Sequence, residues 1–247
     1  MSMRSSCPIT VKIMVAAVVM CRLGLGSAKA VAPSSDDRQP AAHAMIGKEG
    51  HELGRVRVGL LIYANGKREV CFSNGFLDAA AREASVNTER ECVPVHLSDE
   101  AVFDYPLLVL AGQGPFELSE AEKRNLAAYL RRGGFLLASA SCSSAGWGES
   151  FEQVMSELFA DQPLRPLSLD HPIFHSLYTI DHIPTRKGSD QATLWGLTMA
   201  DRLVVVYAPT GLNDTAHAGG GCCCCGGNEI RNAQQINTNI LVYALTH

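Results

Sequence analysis

Four consecutive cysteines form the most unusual chemical group of this sequence, with three glycines before them and two after: Cys222, Cys223, Cys224 and Cys225. Structural zinc sites space their cysteines as CxxC, and neighbouring side chains of an extended chain point to opposite faces, so one zinc ion cannot easily take all four thiolates. The glycines free the backbone, so alternate cysteines could bind a soft ion, or two neighbours could oxidise. We therefore predict a soft-metal or redox-active loop that holds copper or zinc. Purely structural disulfides are the alternative.

Two residues outside the cysteine run are further candidate metal ligands. His217 lies five residues before the run, and Cys142 follows a predicted strand in the middle of the chain. Thiolate and imidazole groups both bind copper and zinc. They could join one site if the cysteine loop and Cys142 lie at the same sheet edge.

Cys142 also has a position that favours nucleophilic catalysis. It lies between a predicted strand and the small residues Ser143 to Gly146, where nucleophile elbows occur in α/β folds. A catalytic cysteine needs a base, and His171, His175 and His182 form the densest histidine stretch. The sequence lacks glycines two positions either side of Cys142, so a packed or disulfide-bonded cysteine remains the alternative. The histidines could instead occupy a turn in which they bond backbone groups.

The amino-terminal residues predict an exported protein. Residues 1–30 contain four basic residues, no acidic residue and an apolar run from Ile13 to Cys21, as a secretory signal peptide does. Residues 31–54 are rich in small and polar residues and predict a flexible leader. Loss of the signal peptide would change the formal charge from −4 to −8. We therefore expect a periplasmic or secreted protein that has no stable membrane span after cleavage and binds no nucleic acid.

The same cleavage leaves seven cysteines, an odd number that cannot pair completely within one chain. A disulfide between Cys71 and Cys92 is an open possibility in an oxidising compartment.

The remaining residues, 55–247, predict a single α/β domain. Apolar runs and helical spacings alternate, which indicates a mostly parallel sheet with helices on both faces. A capping box of Ser119 and Glu122 begins one helix, and Pro94 favours an edge position for its strand. Predicted strands are Arg55–Tyr63, Glu91–Leu97, Tyr105–Gly112, Phe135–Ser139 and Arg202–Tyr207, and predicted helices are Gly75–Val86, Glu120–Arg132, Ser150–Phe159 and Ile230–Leu245.

Functional groups of such a sheet collect beyond the carboxyl ends of its strands. The segments expected there are Tyr63–Asn65, Gly112–Gly114, Ser139–Trp147 and Ala208–Asp214. Cys142 lies in the third of them.

The order of several segments resembles the bacterial domain-of-unknown-function family 4159. The segments are Phe103–Gly112, Leu118–Glu122, Leu126–Phe135, His171–Phe174 and Asn237–Leu245. The resemblance implies a flavodoxin-like three-layer sandwich, similar to class I glutamine amidotransferase-like and ThuA-like domains, in an exported protein without an established activity. Our leading hypothesis is a non-catalytic binding or interaction module that contacts a protein of the cell envelope. The alternative is a cysteine-dependent amidase or acyl-transfer enzyme, with Cys142 as nucleophile and His171 or His175 as base.

Overall fold

The computed structural model describes residues 54–186, 191–218 and 229–247. Three predicted features lie outside these ranges: the signal peptide, the leader except Gly54, and the cysteine loop of Cys222, Cys223, Cys224 and Cys225. Within the described ranges, no helix has the length and apolar character needed to cross a membrane.

One sheet of seven strands forms the centre of the domain. The strands are β1 Val58–Ile62, β2 Val93–His96, β3 Leu107–Gly112, β4 Phe135–Ala140, β5 Arg165–Pro166, β6 Trp195–Met199 and β7 Arg202–Ala208. Their order in the sheet is β2-β1-β3-β4-β7-β6-β5, and the first five strands in that order run parallel. Strands β6 and β5 run antiparallel to their neighbours at one edge. The prediction of a mostly parallel sheet is therefore confirmed.

Four α-helices connect and follow these strands: α1 Gly75–Glu83, α2 Glu120–Arg131, α3 Ala145–Leu158 and α4 Ala233–Thr246. The start of α2 is the capping box predicted from the sequence. The Ser119 side chain accepts a hydrogen bond from the Glu122 backbone, and the Glu122 side chain accepts one from the Ser119 backbone. Two of the otherwise unsatisfied donors of the first helical turn are thereby used.

The buried apolar side chains form two clusters. Leu137 of β4 belongs to one cluster together with residues of α1 and α4. Its neighbour Leu136 belongs to the other, together with residues of α2 and α3. Successive side chains of a strand point to opposite faces, so the continuous apolar run of β4 contributes to both clusters.

The structure differs from the prediction at β6 and at the start of α3. Strand β6 joins β7 through a tight turn at Ala200 and Asp201, whose φ angles are +46° and +64°. Such turns usually contain Asn-Gly or similar pairs, so Ala-Asp gave no hairpin signal. Helix α3 begins five residues earlier than predicted. Its first turn was not predicted as helical because it contains glycines, which are weak helix formers. Gly148 is required there, since an added Cβ would lie 2.5 Å from the Tyr207 hydroxyl oxygen.

Candidate functional site

The carboxyl ends of β1, β3, β4 and β7 lie at one edge of the sheet, because these strands are parallel neighbours. The four segments predicted at strand ends therefore lie at this edge. Hydrogen bonds connect them further, since the Gly114 N–H donates to Ser144 Oγ at 2.9 Å and Ser143 Oγ donates to the Thr210 carbonyl at 2.9 Å. We call this region the carboxyl edge.

Side chains fill the crevice between β1 and β3. Doubly wound sheets often bind ligands at this position, where the chain connections change direction. Here Trp147 Nε1 donates to the Tyr63 hydroxyl at 2.7 Å, which donates to the Ala111 carbonyl at 3.0 Å. The Phe116 ring packs against both the Tyr63 and Trp147 rings. The groups of the carboxyl edge that could act in catalysis or metal binding therefore lie beyond the ends of β4 and β7.

The turn after β4 has an unusual backbone. Cys142 and Ser143 have φ angles of +55° and +54°, in the left-handed region that non-glycine residues rarely adopt. Each such residue costs on the order of 1–3 kcal/mol unless the surrounding structure holds it. The sequence contains no glycine that would indicate this turn, yet the turn forms. Cys142 is partly exposed within it.

Glu69 and Asn213 hold this turn from two sides. Ser141 Oγ donates to Glu69 Oε2, and Asn213 Nδ2 donates to Ser141 Oγ at 2.8 Å. The other carboxylate oxygen of Glu69 accepts from the backbone N–H groups of the next two residues, at 2.9 and 2.8 Å. All three side chains are buried. The left-handed turn is therefore fixed by buried polar groups that are distant in sequence.

Ser139 connects the end of β4 to the segment after β7. Its hydroxyl donates to Asn213 Oδ1 at 2.7 Å and accepts from the Leu212 N–H at 2.8 Å. The positions of Ser139 and Asn213 at strand ends were predictable from the sequence. The role of Glu69 was not, because one acidic residue in a polar connection does not indicate burial.

Asp214 and His217 form a polar pair in the segment after β7. The Nδ1 atom of His217 lies 2.8 Å from Asp214 Oδ1, and the Asp214 side chain is 4% exposed whereas that of His217 is 56% exposed. Burial raises the pKa of Asp214, and its hydrogen bond to His217 opposes the shift. A carboxylate on Nδ1 favours the tautomer in which Nδ1 carries the proton and Nε2 has a lone pair.

His171 lies near the amino end of β4, whereas Cys142 follows the carboxyl end of the same strand. Its ring centroid is 5.6 Å from that of Tyr243, whose ring is 5.9 Å from that of Phe135. Phe135 begins β4 and Cys142 follows its end, and a strand of this length spans roughly 16 Å. The structure therefore does not bring the candidate base His171 to Cys142.

His171 and His175 lie on either side of the turn at Pro172, and both are hydrogen-bonded to backbone groups. This agrees with the alternative prediction, in which these histidines occupy a turn rather than a catalytic site. His171 Nδ1 accepts from the Ile173 N–H at 3.2 Å, and His175 Nε2 lies 2.9 Å from the Leu169 carbonyl oxygen. Burial lowers the pKa of His171, and repulsion from His247 lowers it further. His182 is exposed, and its carbonyl accepts from Asn232 Nδ2 at 3.0 Å.

The predicted metal site is described only in part. Its ligands Cys142 and His217 belong to the described residues, whereas the four remaining ligands lie outside them: Cys222, Cys223, Cys224 and Cys225. In the described parts of the chain, no group of three or more cysteine, histidine, aspartate or glutamate side chains could hold a metal ion. Cys142 and His217 therefore form no such site with other described residues, and the role of the cysteine loop stays a prediction.

The chain on both sides of the cysteine loop lies at the carboxyl edge. Thr215 Oγ1 donates to Glu229 Oε2 at 2.6 Å, which joins a residue before the loop to one after it. The Ile230 N–H donates to the Gly211 carbonyl at 3.3 Å. Both bonds fix the described ends of the chain next to the segment that follows β7.

Cys92 and Cys142 are thiols rather than disulfides. The possible pairing of Cys71 with Cys92 is therefore wrong. Burial raises the pKa of Cys92 to about 12, so its thiol is protonated at neutral pH and poorly nucleophilic. Among these two thiols, only Cys142 combines partial exposure with a place at the carboxyl edge.

Comparison with known proteins supports the resemblance found in the sequence. The search of curated proteins found no match. The model of the family described as "Domain of unknown function (DUF4159)" matches residues 58–245, which is well over half of the 247-residue chain. The match includes every strand and almost the whole of α4. The chain therefore belongs to the DUF4159 family.

Proposed function

We propose that this protein is an exported, non-catalytic binding module, with a thiol-rich site for copper or zinc at its carboxyl edge. The observation that supports the proposal is the position of the chain on both sides of the cysteine loop. Before the loop, the segment from Thr210 to His217 is bonded to the turn that carries Cys142, and after it Glu229 is bonded to Thr215. The partner that we expect for this module is a protein of the cell envelope.

The pair of Asp214 and His217 has the geometry of a metal-binding histidine with its supporting carboxylate. Histidines that bind metals usually donate the second ring N–H to a carboxylate or carbonyl, which fixes the ring and its tautomer. His217 has this partner at 2.8 Å, and its ring is more than half exposed. The Nε2 lone pair of His217 and the thiolates of the cysteine loop, which begins five residues later in the sequence, would be a donor set that suits Cu(I) and zinc.

The alternation of strand residues between two apolar clusters, one with α1 and α4 and one with α2 and α3, supports the three-layer arrangement that the family resemblance implied. In this arrangement the carboxyl edge is the end of the domain at which loops from both helical layers meet. A binding site there would be accessible to a partner without rearrangement of either cluster.

Metal analysis tests the proposal directly. The protein purified under reducing conditions should contain copper or zinc, and simultaneous replacement of Cys222, Cys223, Cys224 and Cys225 by Ser should remove it. A metal-free protein, or one whose metal survives all four replacements, would refute the proposal.

Two single variants sharpen the metal experiment. Asp214→Asn should weaken metal affinity by roughly 10–100-fold, the usual effect of losing a supporting hydrogen bond. Cys92→Ser, which changes a half-buried thiol just before β2, is the control and should leave the metal content unchanged. Equal losses of metal in these two variants would argue against His217 as a ligand.

A second candidate function is cysteine-dependent acyl transfer at Cys142. The left-handed turn between β4 and α3 favours it, because nucleophiles often occupy strained turns between a strand and a helix. Since His171 lies near the amino end of β4, the base would be His217, oriented by Asp214. The thiolate would attack the carbonyl carbon of an amide, the C–N bond would break, and the amine would leave with a proton from His217, which leaves a thioester acyl-enzyme for water to hydrolyse.

Alkylation of Cys142 by iodoacetamide as a function of pH separates the two functions. An activated nucleophile should react with an apparent pKa well below the usual value of about 8.5, and His217→Ala should abolish this shift. In a binding module stripped of metal by a chelator, Cys142 should react as an ordinary thiol in both proteins. Cys92→Ser again serves as the control, because it removes the other described thiol.

A further inference from the structure

A small groove lies between helix α3 and the hairpin of β6 and β7. Its volume is about 230 Å³. Apolar side chains form its walls, chiefly Met155, Phe159, Leu164 and Trp195. Pockets for drug-sized ligands occupy about 300–1,000 Å³, so this groove suits a smaller molecule, such as a single ring with a short chain.

Side chains that line the groove also contact residues outside it, and these contacts restrict their movement. The guanidinium of Arg131 lies 5.3 Å from the centre of the Phe159 ring, outside the groove. Trp195 is paired with Tyr207 across the two strands of the hairpin. The Tyr207 ring packs against Phe151 at 4.8 Å. The groove is therefore preformed, which lowers the entropic cost of binding.

The polar end of the groove is formed by Glu152 and Tyr207. Burial raises the pKa of Tyr207, and the Glu152 carboxylate, to which its hydroxyl is bonded, raises it further. The phenol therefore stays neutral and helps to orient the carboxylate. None of the described residues that line the groove is basic. Within the described residues, no lysine or arginine forms an ion pair with Glu152.

We propose that this groove binds a small organic cation, an ammonium group attached to an apolar body. The ammonium would donate hydrogen bonds to Glu152, and the apolar body would contact the Trp195 and Phe159 rings. The formal charge of −4 on the whole chain favours cations over anions as well. This site is independent of the proposed metal site and of Cys142.

Three probes of one shape test the charge requirement: phenethylammonium, the neutral 2-phenylethanol and the anionic phenylacetate. Calorimetric titration of the purified protein should show that phenethylammonium binds several-fold tighter than 2-phenylethanol, the effect expected of an ion pair with an exposed carboxylate. Phenylacetate should bind most weakly. Equal affinities for the ammonium and the alcohol, or no saturable binding of any probe, would overturn the proposal.

Variants identify the residues responsible. Glu152→Gln should remove the advantage of phenethylammonium over 2-phenylethanol, whereas Trp195→Ala should weaken both. Glu149→Gln makes the same charge change at an exposed position of α3 outside the groove, and it should leave all three affinities unchanged. Circular dichroism verifies that each variant is folded. An ammonium preference that survives Glu152→Gln, or that Glu149→Gln removes equally, would contradict the assignment.

Discussion

Replacement of Glu69 by Gln should destabilise the protein through the turn that carries Cys142. The change leaves one amide oxygen that can still accept from the two backbone N–H groups after Glu69. It replaces the oxygen that accepts from Ser141 Oγ by an NH₂ group, which is a donor. The Ser141 hydroxyl already accepts from Asn213, so its own proton has no alternative acceptor in this network.

The expected loss of stability follows from the burial of this hydroxyl. Ser141 is 1% exposed and Glu69 is 6% exposed, so water cannot replace the lost acceptor without a rearrangement. A buried donor without an acceptor costs about 1–3 kcal/mol. We therefore expect Glu69→Gln to lower the free energy of unfolding by about 2 kcal/mol. With a urea dependence of about 2 kcal/mol per molar, the unfolding midpoint should fall by roughly 1 M.

Urea unfolding of a double-mutant cycle with Ser141→Ala tests this reasoning. If the two side chains act through their shared hydrogen bond, the cycle should give a coupling energy of at least about 1 kcal/mol. Glu117→Gln, at an exposed position, is the matched control and should change stability by less than about 0.5 kcal/mol. Additive effects in the cycle, or a Glu69→Gln variant as stable as the control, would refute the explanation of how the turn is held.

Two further predictions concern other parts of the fold. The pKa of His171 is lowered by burial and by His247, so its contribution to stability is complete above the unfolded value of about 6.5 and is lost as the pH falls through the folded value. His171→Asn keeps an acceptor for the Ile173 N–H without titrating, and it should therefore lose less stability between pH 7 and pH 5 in urea unfolding; parallel profiles would contradict this. At the start of α2, Ser119→Ala should cost about 1 kcal/mol in the same assay, and Glu122→Ala should cost more, because Glu122 Oε1 also accepts from the Ala64 N–H at 2.7 Å. A larger loss for Ser119→Ala would show that this second bond contributes little.

The elements that the sequence predicted are those with local signals. Strand β3 is a continuous apolar run that is buried along its whole length, and α2 begins with a capping box whose two bonds both form. Pro94 indicated an edge strand, and β2 is the edge strand. Strand β6 was missed because its burial depends on pairing with β7, and the Ala200–Asp201 turn between them has none of the residues typical of tight hairpins.

The carboxyl edge could be predicted because parallel topology alone brings strand ends together, whatever residues they carry. The pairing of Cys142 with particular histidines could not. His171 was a candidate base because it belongs to the densest histidine stretch of the sequence, but the chain after α3 carries it to the amino end of β4, opposite to Cys142. His217 is more distant in sequence, yet it follows the strand that pairs directly with β4.

The backbone conformation of Cys142 depends on residues that are distant from it in the sequence. Its left-handed backbone has no glycine to favour it, so the stabilisation comes from Glu69 and Asn213, each about seventy residues away in sequence. These residues belong to the segments after β1 and β7, which the parallel sheet brings together at the carboxyl edge. A site at Cys142, whether for a metal or for a substrate, should therefore respond to Glu69→Gln even though Glu69 is bonded to Ser141 rather than to the cysteine. That response provides a way to test function at Cys142 with its thiol intact.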